Sequence, residues 1–262
     1  MNTQAVLAVF KRNLAAYFGS PSGYVFICAF LLSSGLAAFW PQEFFDSNLA
    51  NLDQLNRYLP LILLGFIPAI TMSIWADEKR QGTDELLLTL PGSDFDVVIG
   101  KYLGAVAIFS VSLVISLIAN YYVLSQLGNP DFGLLVSTYL GYWFVGLSMI
   151  AIGMVASFLT SNLTVAFVLG VAFNSPLALL QDSEWAIAAN FLDFSRGTIS
   201  TSGMIFFIGL AVTMLYLSSI LIGRRHWVGS PQGKNKFFHF SVRVVATLVT
   251  AFALTQYFRN HD

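Results

Sequence analysis

The chain has 262 residues, of which 56% are hydrophobic and only 10% are charged, and its net charge is −1. Soluble domains carry roughly 25% charged residues, so this composition excludes a soluble enzyme and a disordered chain. It also excludes a nucleic-acid-binding protein, which needs a basic surface. A single cysteine excludes a disulfide framework and a cysteine-based metal site. The sequence therefore predicts an integral membrane protein.

The first feature along the chain is an apolar pattern at helical spacing over residues 3–18. Val6, Phe10 and Leu14 fall on one side of a helix, whereas Lys11 and Arg12 fall on the other. Such a helix is typical of the membrane interface. The segment Gly19-Ser20-Pro21 is expected to end it and turn the chain into the membrane.

Long uncharged apolar runs then dominate the sequence. A bilayer core is about 30 Å thick, and a helix needs roughly 20 apolar residues to cross it. Helices are expected because the backbone must satisfy its own hydrogen bonds in hydrocarbon. The candidate spans are Tyr24–Trp40, Tyr58–Trp75, Tyr102–Leu124, Leu134–Leu159, Leu163–Leu180 and Gly203–Ile222, and Phe240–Phe258 is a weaker seventh.

The distribution of lysine and arginine predicts the orientation. With the N-terminus inside the cell, ten of these residues face the cytoplasm and only Arg57, Arg196 and Arg259 face outward. Cytoplasmic loops of membrane proteins carry an excess of positive charge. We therefore expect a cytoplasmic N-terminus.

The loop between the second and third runs combines acidic residues with leucines. Gly82 is expected to end one helix and Thr83 to cap the next, with Asp84 and Glu85 in its first turn, where the helix dipole favours carboxylates. Leu86–Leu88 and Leu90 form an apolar side, and Pro91-Gly92 ends the helix. Ser93 or Asp94 is expected to cap the following span. A solvated turn would explain the acids, whereas a partner-docking helix explains the acids and the leucines.

The other polar features indicate structure rather than chemistry. Serines and asparagines in the spans are expected to bond helices together, and Gly100-x-x-x-Gly104 to permit close packing. Lys101 is expected to snorkel to the interface, and Cys28 to be buried. The outer loop Gln181–Ser202 is predicted to carry a short helix. We expect no catalytic residues, no metal and no cofactor, and no ATP-binding loop occurs in the sequence.

Three segments resemble the ABC-type-2 permeases, and in particular their gliding-motility branch. These segments are the entry Phe18–Val25, the loop from Asp77 to Pro91 with the following Gly100-Lys101-Tyr102, and the outer loop Phe194–Ser200. The resemblance implies an all-α integral membrane protein with a six-helix permease bundle. It also implies a bacterial inner-membrane location and no enzyme activity in the chain itself. The residues that it implies contact an ATPase are Glu78, Gly82, Thr83, Asp84, Glu85, Leu86 and Leu87.

The same resemblance implies particular partners and a division of the chain. A second permease copy would form a homodimer with two ABC ATPase subunits, beside an auxiliary membrane protein with a large outer domain. Residues 1–225 would form the permease domain, 226–239 a basic cytoplasmic linker and 240–262 an additional transmembrane helix. That last helix is read as a native seventh span, as part of a truncated fusion or as a peripheral helix.

Three functions compete at this point. The leading hypothesis is a permease subunit that couples ATP hydrolysis on a partner to export or to mechanical work. The alternative is a non-transport scaffold that anchors an outer protein. A membrane enzyme would need a cluster of reactive side chains, for which Asp193 with Arg196 is the one outer candidate, and a structural turn explains that pair better.

Overall fold

The computed structural model describes residues 2–47, 49–84, 93–179, 186–223 and 233–259, and these segments fold into α-helices without strands. The helices are α1 (Thr3–Phe18), α2 (Pro21–Phe39), α3 (Gln42–Ser47), α4 (Asp53–Thr71), α5 (Ser73–Gln81), α6 (Asp94–Leu127), α7 (Phe132–Phe158), α8 (Leu163–Leu179), α9 (Ile187–Ser195), α10 (Thr201–Gly223) and α11 (Gly233–Arg259). The all-α membrane architecture is confirmed.

Four stretches of the described residues are long and apolar enough to cross a bilayer. They are the combined α4 and α5 (Asp53–Gln81), α6, α7 and α10. The pair α1 and α2 qualifies together, but it bends by 72° at the predicted Gly19-Ser20-Pro21 break. Helix α8 is apolar but has only 17 residues. All six strongly predicted runs therefore fall on helices, although not all of these helices meet the length and hydropathy expected of a span.

The bundle has two ends, which we name by the short helices found there. At the α1 end lie α1, α5, the start of α6 and the end of α7. At the α9 end lie α3, α9 and the turns that join α6 to α7. Helix α9 is the short helix predicted in the loop Gln181–Ser202, and its Phe191 and Phe194 are buried against α7 at Gly141.

Helix α7 occupies the centre of the bundle. Over 18 consecutive residues of α7, 83% of the positions are buried, a larger share than in the other three stretches. A Cβ atom on Gly146 would lie 1.9 Å from the Phe109 ring of α6, and one on Gly153 would lie 2.3 Å from Thr71 Oγ1 of α4. The absence of side chains at these glycines is what lets α4 and α6 approach α7 so closely.

Three prolines lie inside helices rather than at their ends. Pro60 and Pro68 are internal to α4, and Pro176 is internal to α8. None of the three prolines ends its helix. Pro68 lies at the contact with α8, where a Cβ on Gly170 would be 3.0 Å from the proline ring.

Hydrogen bonds between helices bury polar side chains, as the sequence predicts. Ser34 of α2 bonds Ser116 of α6 at 3.0 Å, and Ser116 bonds the Tyr139 hydroxyl of α7 at 3.0 Å. Asn120 donates to that hydroxyl at 2.8 Å. Each such bond removes an unsatisfied group from an apolar interior, where it would cost roughly 1–3 kcal/mol. Cys28, by contrast, is exposed, so the prediction that it is buried is wrong.

Helix α11 lies antiparallel to α10. Ala251 packs on Gly209 near the α9 end, and Arg243 lies near Tyr216 toward the α1 end. The Arg259 guanidinium donates to Asn190 Oδ1 of α9 at 2.9 Å. The predicted seventh run, Phe240–Phe258, thus falls within one helix that extends along the length of α10.

Helix α1 packs across the first turns of α6 through the predicted glycine pair. A Cβ on Gly100 would lie 2.8 Å from the Val9 side chain, and one on Gly104 would lie 3.0 Å from Asn13. The Asn2 backbone N–H donates to Asp96 Oδ2 at 3.2 Å. The motif permits close packing as predicted, with α1 as its partner.

We predict that Gly100→Leu displaces α1 from α6, because the added side chain would overlap Val9 and the Val6 carbonyl. The probe is Val9→Cys in a Cys28→Ser background, treated with a water-soluble maleimide. This buried thiol should resist the reagent when Gly100 is retained and react at least tenfold faster when Gly100→Leu is added. Gly65→Leu is the matched control, since a Cβ there meets no atom within 4 Å. Equal protection of Val9→Cys with and without Gly100→Leu would contradict this packing.

Candidate functional site

The candidate site surrounds the two helix ends that flank residues 85–92. Helix α5 ends where Gly82 adopts the left-handed conformation with a φ of 68°, which glycine reaches at little cost. The Gly82 and Thr83 N–H groups bond the carbonyls of Lys79 and Glu78. The predicted helix stop at Gly82 is confirmed.

Helix α6 begins with a capping box. The Ser93 side chain accepts from the Asp96 N–H at 3.3 Å, and Asp96 Oδ2 accepts from the Ser93 N–H at 3.0 Å. Backbone and side-chain hydrogen bonds of this kind stabilise the carboxylate and the helix terminus together. Of the two predicted caps, the structure selects Ser93.

A cluster of charges joins three helices at this end of the bundle. Glu78 of α5 places Oε2 2.6 Å from Lys101 Nζ of α6, and its Oε1 accepts from the Arg12 guanidinium of α1. Lys101 Nζ also donates to the Ile74 carbonyl at 2.6 Å and lies 4.4 Å from the centre of the Trp75 ring. One carboxylate thus pairs with cations from two other helices. We call Arg12, Glu78 and Lys101 the charge cluster.

The burial of Lys101 corrects the expectation that it snorkels to the interface. Its side chain is only 1% exposed, and it lies against α5, where it contacts the Ile74 carbonyl, the Trp75 ring and the Glu78 carboxylate. A buried cation needs a paired anion and hydrogen-bond acceptors, and Glu78 and the Ile74 carbonyl supply both. Lys101 is therefore a structural part of the site.

Helix α7 fixes the junction between α4 and α5. Ser157 Oγ accepts from the backbone N–H groups of Trp75 and Ala76 at 3.1 and 3.2 Å and donates to the Met72 carbonyl at 2.8 Å. Lys79 donates to the Phe158 carbonyl, and its ammonium lies 3.7 Å from the centre of the Phe158 ring. The helix that carries Glu78 is therefore held by the end of α7.

The structure assembles only part of the predicted site. Glu78 is central to the cluster, Gly82 is exposed in the turn, and Thr83 follows it. Asp84 is buried, at 7% exposure. Glu85, Leu86 and Leu87 lie outside the described residues.

Sequence reasoning missed the roles of Arg12, Lys101 and Ser157. The sequence places Arg12 on the polar face of its helix and Lys101 at the end of a span. Neither position indicates a contact with a second helix. The one signal in the sequence was Gly100-x-x-x-Gly104, which predicts a helix lying on α6 beside Lys101. Ser157 carries no local signal, because it acts on a helix 82 positions away.

The α9 end shows no comparable arrangement among its described side chains. The Asp193 carbonyl accepts from the backbone N–H groups of Arg196 and Thr198, and Gly197 has a φ of 86°. This is a turn, as expected for the Asp193 and Arg196 pair. No group of histidine, cysteine, aspartate or glutamate side chains in the described segments is arranged to hold a metal ion.

One known protein family matches most of the chain. A model of the family described as ABC-2 family transporter protein matches residues 26–225. The chain belongs to the ABC-2 transporter family. It is a multi-pass membrane permease component of an ABC transporter, and members of this family are generally non-catalytic subunits that work with an ABC ATPase. No curated protein matches the chain. The matched residues include α4–α10 but neither α1 nor α11.

We predict that Glu78→Gln lowers the free energy of unfolding by about 3 kcal/mol, because it leaves the buried Lys101 ammonium without its carboxylate. Asp77→Asn is the matched control, since its pair with Arg80 is exposed and exposed ion pairs contribute roughly 0–1 kcal/mol. Unfolding in mixed detergent and dodecyl sulfate measures both. Equal losses in the two variants would show that Lys101 does not depend on Glu78.

Proposed function

We propose that this permease couples ATP hydrolysis on a separate ABC ATPase to export or to mechanical work on a membrane partner. The supporting observation is the charge cluster, which joins α5 directly to α6. These are the two helices that residues 82–93 connect along the sequence. A force applied to this connection would be passed to both helices at once.

The contact with the ATPase is proposed for the acidic and leucine-rich part of this connection. The resemblance implies Glu78, Gly82, Thr83, Asp84, Glu85, Leu86 and Leu87 as contacts. Within the isolated chain Glu78 pairs with the buried Lys101 ammonium, and Asp84 is buried. We therefore propose that these two carboxylates act within the permease and that Glu85, Leu86 and Leu87 form the direct contact.

The orientation and the location are part of the same proposal. An ABC ATPase hydrolyses cytoplasmic ATP, so the α1 end should face the cytoplasm of a bacterial inner membrane. The lysine and arginine distribution along the chain supports this orientation. A homodimer with two ATPase copies is proposed on the resemblance, as are the gliding-motility branch and an auxiliary membrane protein with a large outer domain.

Helix α11 is proposed to be a seventh span, linked to the permease domain through the basic residues 226–239. Its antiparallel course along α10 supports this reading, because α10 is itself long and apolar enough to cross the membrane. The bond from Arg259 to Asn190 places its last turn at the α9 end.

Purification from the native membrane in mild detergent, followed by mass spectrometry, tests the proposed function. We expect one ABC ATPase in equal amount with the permease. A third membrane protein recovered with them would identify the machine that the pair serves. A permease that purifies without an ATPase would exclude coupling through this connection and would favour the scaffold function.

We predict that Glu85→Lys lowers the recovered ATPase at least tenfold, because it reverses a charge at the proposed contact. The control is Asp46→Lys, which makes the same reversal at an exposed position of α3 at the opposite end. Both variants should keep the wild-type thermal midpoint. Unchanged recovery of the ATPase with Glu85→Lys would contradict the assigned contact.

We predict that the two ends of α11 lie on opposite sides of the membrane. In a Cys28→Ser background, His261→Cys and Leu192→Cys should react with an impermeant maleimide added outside intact spheroplasts. Lys11→Cys should react only after the membrane is permeabilised. If His261→Cys requires permeabilisation while Leu192→Cys does not, α11 is not a seventh span.

A further inference from the structure

The charge cluster restricts how α5 and α6 can move relative to each other. Lys101 Nζ has two acceptors, the Glu78 carboxylate at 2.6 Å and the Ile74 carbonyl at 2.6 Å, and both belong to α5. Sliding α5 away from α6 would leave a buried ammonium without its anion, which is strongly unfavourable. Helices α5 and α6 are therefore expected to move together.

Helix α1 closes the cluster from the third side. Arg12 bonds the second carboxylate oxygen of Glu78, and the Tyr17 hydroxyl donates to the Ile70 carbonyl at 2.6 Å. At its other end, the Asn2 N–H donates to Asp96 of α6. Helix α1 thus binds the end of α4, α5 and the start of α6.

Helix α6 can carry a displacement from one end of the bundle to the other. Its 34 residues correspond to about 50 Å at 1.5 Å per residue. It begins at Asp94, directly after the connection, and finishes at Leu127, where the next residue, Gly128, packs against Ala50. Near that end, Asn120 bonds the Tyr139 hydroxyl of α7.

We propose that Lys101 is a positioning residue that transmits movement of the ATPase-bound connection to α6 and so to the α9 end. This proposal rests on the proposed function, since the ATPase supplies the movement. It adds that Lys101 does not contact the ATPase. Removing its charge should separate ATPase binding, which continues, from the movement of the far end of α6, which stops.

The experiment measures the far end of the bundle while nucleotide binds at the near end. Spin labels are placed on Leu127→Cys of α6 and Leu192→Cys of α9, where both leucines are exposed, in a Cys28→Ser background. Pulsed electron paramagnetic resonance gives the distance between them in the purified complex, without nucleotide and with ATP and vanadate. The amount of bound ATPase is measured in the same sample.

We expect a nucleotide-dependent distance change in the complex that retains Lys101, and loss of that change in Lys101→Met with an unchanged amount of ATPase. Lys101→Arg should keep the change, because it keeps the cation. Arg80→Met is the matched control, since it removes a positive charge from the same end in an exposed pair, and it should also keep the change. A full distance change in Lys101→Met would overturn the proposal and leave the proposed function intact.

If Lys101→Met does not fold, the double variant Glu78→Gln with Lys101→Met removes both charges and avoids an unpaired one. We expect it to bind the ATPase and still lack the distance change. Restoration of the full change in this variant would overturn the proposal, because charge compensation alone would then suffice. A parent complex that binds ATPase without any distance change would overturn it as well. Absence of the ATPase from the parent complex would instead reject the proposed function.

Discussion

A lysine ammonium enclosed by protein must lie against a carboxylate, and this requirement determines how the helices meet at the α1 end. Lys101 is enclosed against α5, where it contacts the Ile74 carbonyl and the Trp75 ring. Glu78 of α5 supplies the carboxylate, and the Arg12 guanidinium of α1 bonds its other oxygen. The charge cluster consequently holds together the start of α6, the end of α5 and α1, which are separate in the sequence.

The helices and several of their ends follow from the sequence because their causes are local. Apolar runs long enough for a bilayer predict helices, and they recover α2, α4, α6, α7, α8 and α10. A glycine free to adopt a positive φ stops α5 at Gly82, and a serine side chain starts α6 at Ser93. These determinants act within one turn of the chain, so no knowledge of the remaining structure is needed to read them.

The charge cluster could not be predicted because its three members come from three different helices. The sequence places Lys101 next to a span, where a long cationic side chain ordinarily reaches the interface. Only the tertiary contact shows that the interface is covered there. The wrong prediction for Cys28 has a different origin. In a membrane protein the lipid-facing surface is as apolar as the interior, so hydrophobicity does not distinguish a buried position from an exposed one.

The serine at position 157 has a consequence for how the molecule tolerates change. Its single oxygen bonds the backbone of Met72, Trp75 and Ala76 across the junction of α4 and α5. The direction of α5 is therefore fixed by a residue of α7, and not only by the apolar stretch to which α5 belongs. Under the proposed function, substitutions near the end of α7 should change how α5 responds to the ATPase while the proposed ATPase contact stays the same.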